Sequence, residues 1–158
     1  MLLAWGAFTS GVEDRTAFHA GVDRWRTLTG PKAPQAMIDA AGAEEANRIL
    51  VARDIGRSEH MGCVTVLESK VWGFDVWYAD LTPCIVAIQP DGNITVGVQD
   101  VETAEKLFGP GGLKNFFAEL QPAGWGGREA IGGSPRGEKM DWNQALAAGR
   151  LLASKARV

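Results

Sequence analysis

The residues best suited to chemistry gather in one stretch of fourteen, GWGGREAIGGSPRG, from Gly124 to Gly137. Six of the fourteen are glycine. Glycine lets the chain turn through positive φ and lets a ligand lie against the peptide groups. Successive exposed N–H groups can then form a nest for an anion. Arg128 and Arg136 lie within the stretch and Lys139 just beyond it. A guanidinium grips phosphate through two parallel hydrogen bonds. Ser134 adds a hydroxyl, and Trp125 an indole on which a base could stack. The stretch also runs toward a helix start near Trp142, where the dipole favours negative charge. The candidate phosphate- or nucleic-acid-binding set is therefore Gly124, Trp125, Gly126, Gly127, Arg128, Gly132, Gly133, Ser134, Arg136 and Lys139. Each has an architectural reading beside the functional one. The glycines can serve turns and packing, Arg128 can pair with Glu129 or another acid, and Trp125 can belong to the core.

Other chemistries lack their residues. A P-loop needs G-x-x-x-x-G-K-S/T, and no Lys-Ser or Lys-Thr follows these glycines. A dinucleotide fingerprint sits directly after the first strand of a βαβ unit, whereas this stretch comes late and after a helix. There is no G-x-S-x-G elbow and no cysteine near a plausible base. Asp75, Asp80, Asp91 and Asp100 stand at strand ends and turns, where aspartate has local reasons to be. His19 with Asp23, and His60 with Cys63, are pairs too small for a metal site. No catalytic residue, metal ligand or cofactor is assigned. Cys63 and Cys84 are expected as reduced, buried thiols.

The chain has 158 residues, the size of one domain. Its formal net charge is −3, so any phosphate binding must be local rather than the work of a general basic field. No apolar run is long enough for a membrane span, and MLLAWGAF lacks the basic start of a signal peptide. A cytoplasmic protein without a membrane partner is expected.

Several elements must position the glycine stretch. Ser10 and Glu13 have capping-box spacing for a helix to about Leu28. Pro34 can open a second helix, interrupted at Gly42, and a third runs from about Ala43 to Ile55. Strands are expected at Gly62 to Leu67, Val71 to Tyr78, Cys84 to Ile88 and Ile94 to Val98. Pro90-Asp91-Gly92-Asn93 joins the last two as a hairpin. Asp100 caps a short helix. Leu113, Phe116, Phe117 and Leu120 form a helical stripe. Asp141, with Gln144, caps the last helix. The fold class is α/β: one mixed sheet of about four to five strands flanked by helices, with the glycine-rich loop before the C-terminal helix. Residues 1–158 are read as a single domain, with a helical segment at 1–47.

The run ITVGVQDVETAEKLFG, followed by GWGGREAIGGS, resembles the DHH-associated domain. That domain is the C-terminal, substrate-binding half of the Asp-His-His phosphoesterases, and is also appended to some alanyl-tRNA synthetases. Gly124, Gly126 and Gly127 match the family's glycine cluster, and Ala130, Gly132 and Gly133 its small-residue tail. The family's histidine is replaced by Arg128, and about Pro110 to Pro122 is an insertion. The likeness spans residues 48–158 and lacks the catalytic half. It implies a phosphate-recognising domain for single-stranded nucleic acid or a nucleotide. Two other readings stand beside it. One is the substrate-binding component of a split phosphoesterase or nuclease, with a separate catalytic subunit. The other is a structural domain that forms a homo-oligomer, with Val71 to Tyr78 as a pairing edge and some of Trp5, Trp25, Trp72, Trp77, Trp125 and Trp142 at the interface.

Overall fold

The computed structural model of the chain describes residues 35–157. The expected helix at Ser10 to Leu28, with His19, Asp23, Trp5 and Trp25, lies outside them. Residues Ile49–Val158 form a compact unit of their own. Helix α1, Gln35–Arg53, passes through Gly42 without a break. One glycine costs a helix only about 1 kcal/mol against alanine, too little to stop this alanine-rich run.

Six strands make one mixed sheet: β1 (Ser58–Met61), β2 (Val64–Glu68), β3 (Cys84–Ile88), β4 (Ile94–Val98), β5 (Gly126–Gly127) and β6 (Ile131–Gly133). Their spatial order is β1-β2-β3-β4-β6-β5. Only β2 and β3 are parallel; the other neighbours are antiparallel. The α/β class holds, with more strands than expected. Strand β1 is polar and largely exposed, so no alternation betrays it. It is joined to β2 by Gly62 and Cys63, with Gly62 at φ 64°, the left-handed setting a two-residue hairpin asks of its first loop residue.

Val71 to Tyr78 is not a strand. Phe74–Asp80 is helix α2, the crossover between the parallel strands β2 and β3. Trp72, Phe74, Val76 and Tyr78 read as period two, but Phe74, Trp77 and Tyr78 also fit a helical face. The parallel pairing requires a crossover and decides between them. That segment therefore offers no edge for pairing between subunits. Helix α3, Val101–Phe108, is capped as expected, with the Asp100 carboxylate accepting from the Thr103 N–H. The stripe at Leu113 to Leu120 is not an α-helix. A 3-10 turn at Gly112–Asn115 gives way to further turns. The Leu113 N–H donates to the Glu129 carbonyl at 2.8 Å, which ties the segment to the glycine stretch instead of to its own next turn.

The sheet has two covered faces. On one, Val64, Val66, Val86, Val96 and Val98 pack with Phe108, Leu113 and helix α4, Trp142–Lys155. On the other, Leu67, Ile85 and Ala87 lie under Phe74 and Trp77 of α2. Trp77 Nε1 donates to the Ala52 carbonyl at 2.7 Å, fixing α2 to the last turn of α1. Arg53 pairs with Asp80 at 2.6 Å and holds that carboxyl below the usual range.

Candidate functional site

The glycine stretch is no loose loop. Its two halves are β5 and β6, a hairpin that forms one end of the sheet. Gly126 faces Gly133 and Gly127 faces Gly132. One step on, the Arg128 N–H donates to the Ile131 carbonyl at 2.7 Å, and Glu129 and Ala130 make the turn. The glycines went unread as strands because glycine has low β-propensity and no side chain to alternate.

Directly opposed residues share a face, and faces alternate along a strand. On the α4 side lie Val96, Gly132 and Gly127. There Gly132 is architectural, since a Cβ would overlap the Phe117 ring. On the α2 side lie two levels. One runs Ala87, Thr95, Gly133, Gly126, and the next runs Ile85, Gly97, Ile131, with Arg128 just past the end of β5 and hydrogen-bonded through its N–H to the Ile131 carbonyl. Helix α2 covers only the inner part of these. The Tyr78 hydroxyl and the Phe74 ring occupy the space where Gly97 has no side chain. Beyond Gly97 the cover ends. Ile131 is 40% exposed. A Cβ on Gly126 would meet nothing within 4 Å, and one on Gly133 only the Ile94 carbonyl at 3.7 Å. Neither packing nor positive φ requires a glycine at 126. The result is a flat backbone floor, open to solvent, with an arginine at its rim.

Arg128 does not pair with Glu129. The Glu129 carboxylate is taken by Lys114, whose hydrogen bond is the main cause of its lowered pKa, with Arg128 contributing only through space. Among the described residues, Arg128 and Arg136 form neither hydrogen bond nor ion pair through their guanidinium groups. The two stand past opposite ends of β6, and Arg136 lies in the turn where the Glu138 N–H donates to the Pro135 carbonyl at 3.3 Å.

Other members of the expected set go elsewhere. Trp125 is only 7% exposed and sits in the core, so it has no free face for a base; its Nε1 is buried without a partner in the protein. The Ser134 hydroxyl accepts the Ile94 N–H at 3.0 Å and serves the sheet. At Gly124, φ is 111° and a Cβ would press on Pro135. At Gly127 a Cβ would collide with the Ile131 carbonyl. Lys139 lines a separate cavity of about 170 Å³ with Arg57, Gln89 and Trp142, and none of Gly124, Gly126, Gly127, Gly132 and Gly133 lines it. The start of α4 is closed by its own capping box: Asp141 accepts from the Gln144 N–H at 2.9 Å, and the Gln144 side chain accepts from the Asp141 N–H at 2.8 Å.

The chain matches no family model and no curated protein. Among solved structures it is similar to the pGpG-specific phosphodiesterase PggH from Vibrio cholerae, with a TM-score of 0.55 and 10% identity. The likeness covers 96% of this chain and 53% of that one, so the chain spans about half of the enzyme it matches. At that identity the likeness is one of fold.

Two features were not read from the sequence. Trp72 is 54% exposed and packs on Phe74 at 4.8 Å between ring centroids. It is the exposed aromatic that Trp125 is not. The second is a directed hydrogen-bond chain on the α2 side. Thr82 Oγ1 donates to the Cys84 carbonyl at 2.9 Å. Its single proton is thereby used, so Thr65 Oγ1 donates to it at 2.7 Å, and His60 Nδ1 donates to Thr65 at 2.9 Å. In its neutral form the His60 ring therefore carries its proton on Nδ1, which leaves the lone pair on Nε2. Among the described residues no three His, Cys, Asp or Glu side chains group as a metal site, and no helix is long and apolar enough to cross a membrane. Cys84 is buried and Cys63 half-buried; both are free thiols, and burial raises the pKa of each.

Proposed function

We propose that this chain is a phosphate-recognising domain for a nucleotide or single-stranded nucleic acid, related to the substrate-binding half of the Asp-His-His phosphoesterases. The observation that carries this reading is the open floor of Gly126 and Gly133 with the unpaired Arg128 on the same sheet face. A floor of bare peptide admits a sugar-phosphate closely, and a free guanidinium supplies the charge-assisted bonds. A resemblance to a phosphodiesterase fold supports it. Thermal unfolding against nucleotides and short oligonucleotides tests it. A ligand at 100 times its Kd stabilises the fold by about 2.7 kcal/mol. Arg128→Ala with Arg136→Ala removes that shift and leaves the unliganded Tm unchanged. With two arginines engaged, log K falls with log salt at a slope of about −1.4. Unchanged affinity in the double variant overturns the reading.

The match to half of a longer phosphodiesterase favours one extension. The chain would present substrate to catalytic groups on a second polypeptide. Phosphodiester hydrolysis that appears only when that polypeptide is added supports the extension; equal rates without it refute it.

A further inference from the structure

We infer that Trp72 is the base-stacking residue of the glycine face, so that the site takes a nucleoside 5′-monophosphate in preference to a phosphate group alone. The inference rests on the phosphate reading of Arg128. Among the described residues, Trp72 is the only aromatic ring that is mostly exposed. It is nonetheless held on one side, tilted 50° against Phe74 at 4.8 Å. Phe74 in turn packs edge-on against Trp77 at 5.0 Å and lies 5.8 Å from Tyr78. The inner members of this cluster stand on Gly97, where the cover of the sheet ends and the open floor begins. A tryptophan anchored on one side and bare on the other has already lost much of the freedom that stacking would cost it.

The dimensions set the ligand class. Gly97 lies opposite Ile131, and the Arg128 N–H bonds to the Ile131 carbonyl, so Gly97 and Arg128 are two strand spacings apart, or about 9.5 Å. A phosphate held by Arg128 leaves the aromatic group untouched. A ligand that reaches both needs a planar, stackable group carried away from its phosphate by a spacer, which is the build of a nucleotide. Ile131 lies between the two and gives the spacer an apolar contact. The floor beside it carries no side chain at Gly126 and Gly133.

Calorimetric titration with guanosine 5′-monophosphate and with ribose 5-phosphate tests this. The wild-type chain binds the nucleotide about tenfold more tightly, within the range that stacking of one base provides. Trp72→Ala reduces that ratio to about one without changing the ribose 5-phosphate Kd, and Trp72→Phe restores most of it. Arg128→Ala weakens both ligands. A ratio of one in the wild type, or a ratio unchanged by Trp72→Ala, overturns the role of Trp72; if Arg128→Ala still weakens both ligands, the phosphate reading survives alone. Failure of the wild type to bind either ligand overturns both.

Discussion

Two glycines six residues apart in sequence, Gly126 and Gly132, give the sharpest test of where architecture ends and the proposed site begins. They lie on opposite faces of one hairpin. At Gly132 an alanine methyl would overlap the Phe117 ring, which is itself packed on the core. Relief requires Phe117 or β6 to move, an overpacking cost of about 1–3 kcal/mol. For a chain of this size each kcal/mol lowers Tm by about 2–4 °C, so Gly132→Ala loses roughly 2–12 °C. At Gly126 the same methyl enters open space with an ordinary φ. Removing a glycine there restricts the unfolded chain and stabilises by about 0.4–1 kcal/mol. Its effect falls on binding, because the methyl raises the floor under the ligand. Paired measurements of Tm and of guanosine 5′-monophosphate affinity separate the two. Gly126→Ala keeps or raises Tm and loses affinity. Should Gly126→Ala destabilise as much as Gly132→Ala, the packing argument is wrong. If it binds as the wild type does, the floor is not where ligand lies.

Tyr78 is the chain's only tyrosine, and burial holds its hydroxyl protonated well beyond the ordinary phenol range. Tyrosinate absorbance should therefore be nearly absent at about pH 10, where a free phenol is half ionised, as long as the chain stays folded. Because the folded pKa is the higher one, the unfolded chain ionises first, and stability falls as pH rises from about 10 toward the folded value. The Asp100 carboxyl is held low, chiefly by the Thr103 N–H. Its contribution is complete above the ordinary carboxylate pKa of about 4 and is lost as pH falls toward the folded value. Asp100→Asn keeps a capping oxygen and should give a shallower loss of Tm below about pH 4. Nitrogen chemical shifts of neutral His60 should report the proton on Nδ1, and Thr65→Val should abolish that preference. A dominant Nε2–H form in the wild type would refute the hydrogen-bond chain.

How much of this was legible depends on whether the deciding physics is local. The hairpin of β3 and β4 was readable because Pro90-Asp91-Gly92-Asn93 specifies its own turn: the Asn93 N–H donates to Asp91 Oδ1 at 2.9 Å, and the Gly92 N–H to the Gln89 carbonyl at 2.9 Å. The caps at Asp100 and Asp141 were readable for the same reason. Helix α2 was not. Its aromatic residues fit both periods, and the choice is made by the pairing of strands on either side of it. Strands β5 and β6 were hidden because, Ile131 apart, their residues are glycines with no side chain to show a face. The glycine stretch stood out by composition, but its members could not be assigned to faces without the register. The register sorts Gly126, Gly133 and Arg128 to the open side, Gly127 and Gly132 to the packed side, and Trp125 to the core. The burial of Trp125 has the same origin: proximity in sequence favoured the tryptophan inside the stretch, whereas the fold buries it and leaves Trp72 exposed.

On the proposed reading, an anion has a physical reason to choose the hairpin over the start of α4. A helix N-terminus attracts negative charge through unpaired N–H groups and its dipole. In α4 the Asp141 carboxylate already occupies that position and satisfies the Gln144 N–H. A second anion there would meet a like charge. At the hairpin the balance is reversed. Lys114 draws the Glu129 carboxylate away, which leaves Arg128 as uncompensated positive charge beside a neutral floor. In a chain of net charge −3, long-range attraction contributes little, so selectivity must come from contact. On that reading, a glycine floor, one guanidinium and one exposed indole would supply contact of three kinds, to backbone, phosphate and base. Of the two ligand classes proposed, that combination would suit a short ligand with one base and one or two phosphates better than a long polyanion, which needs many cations in a row.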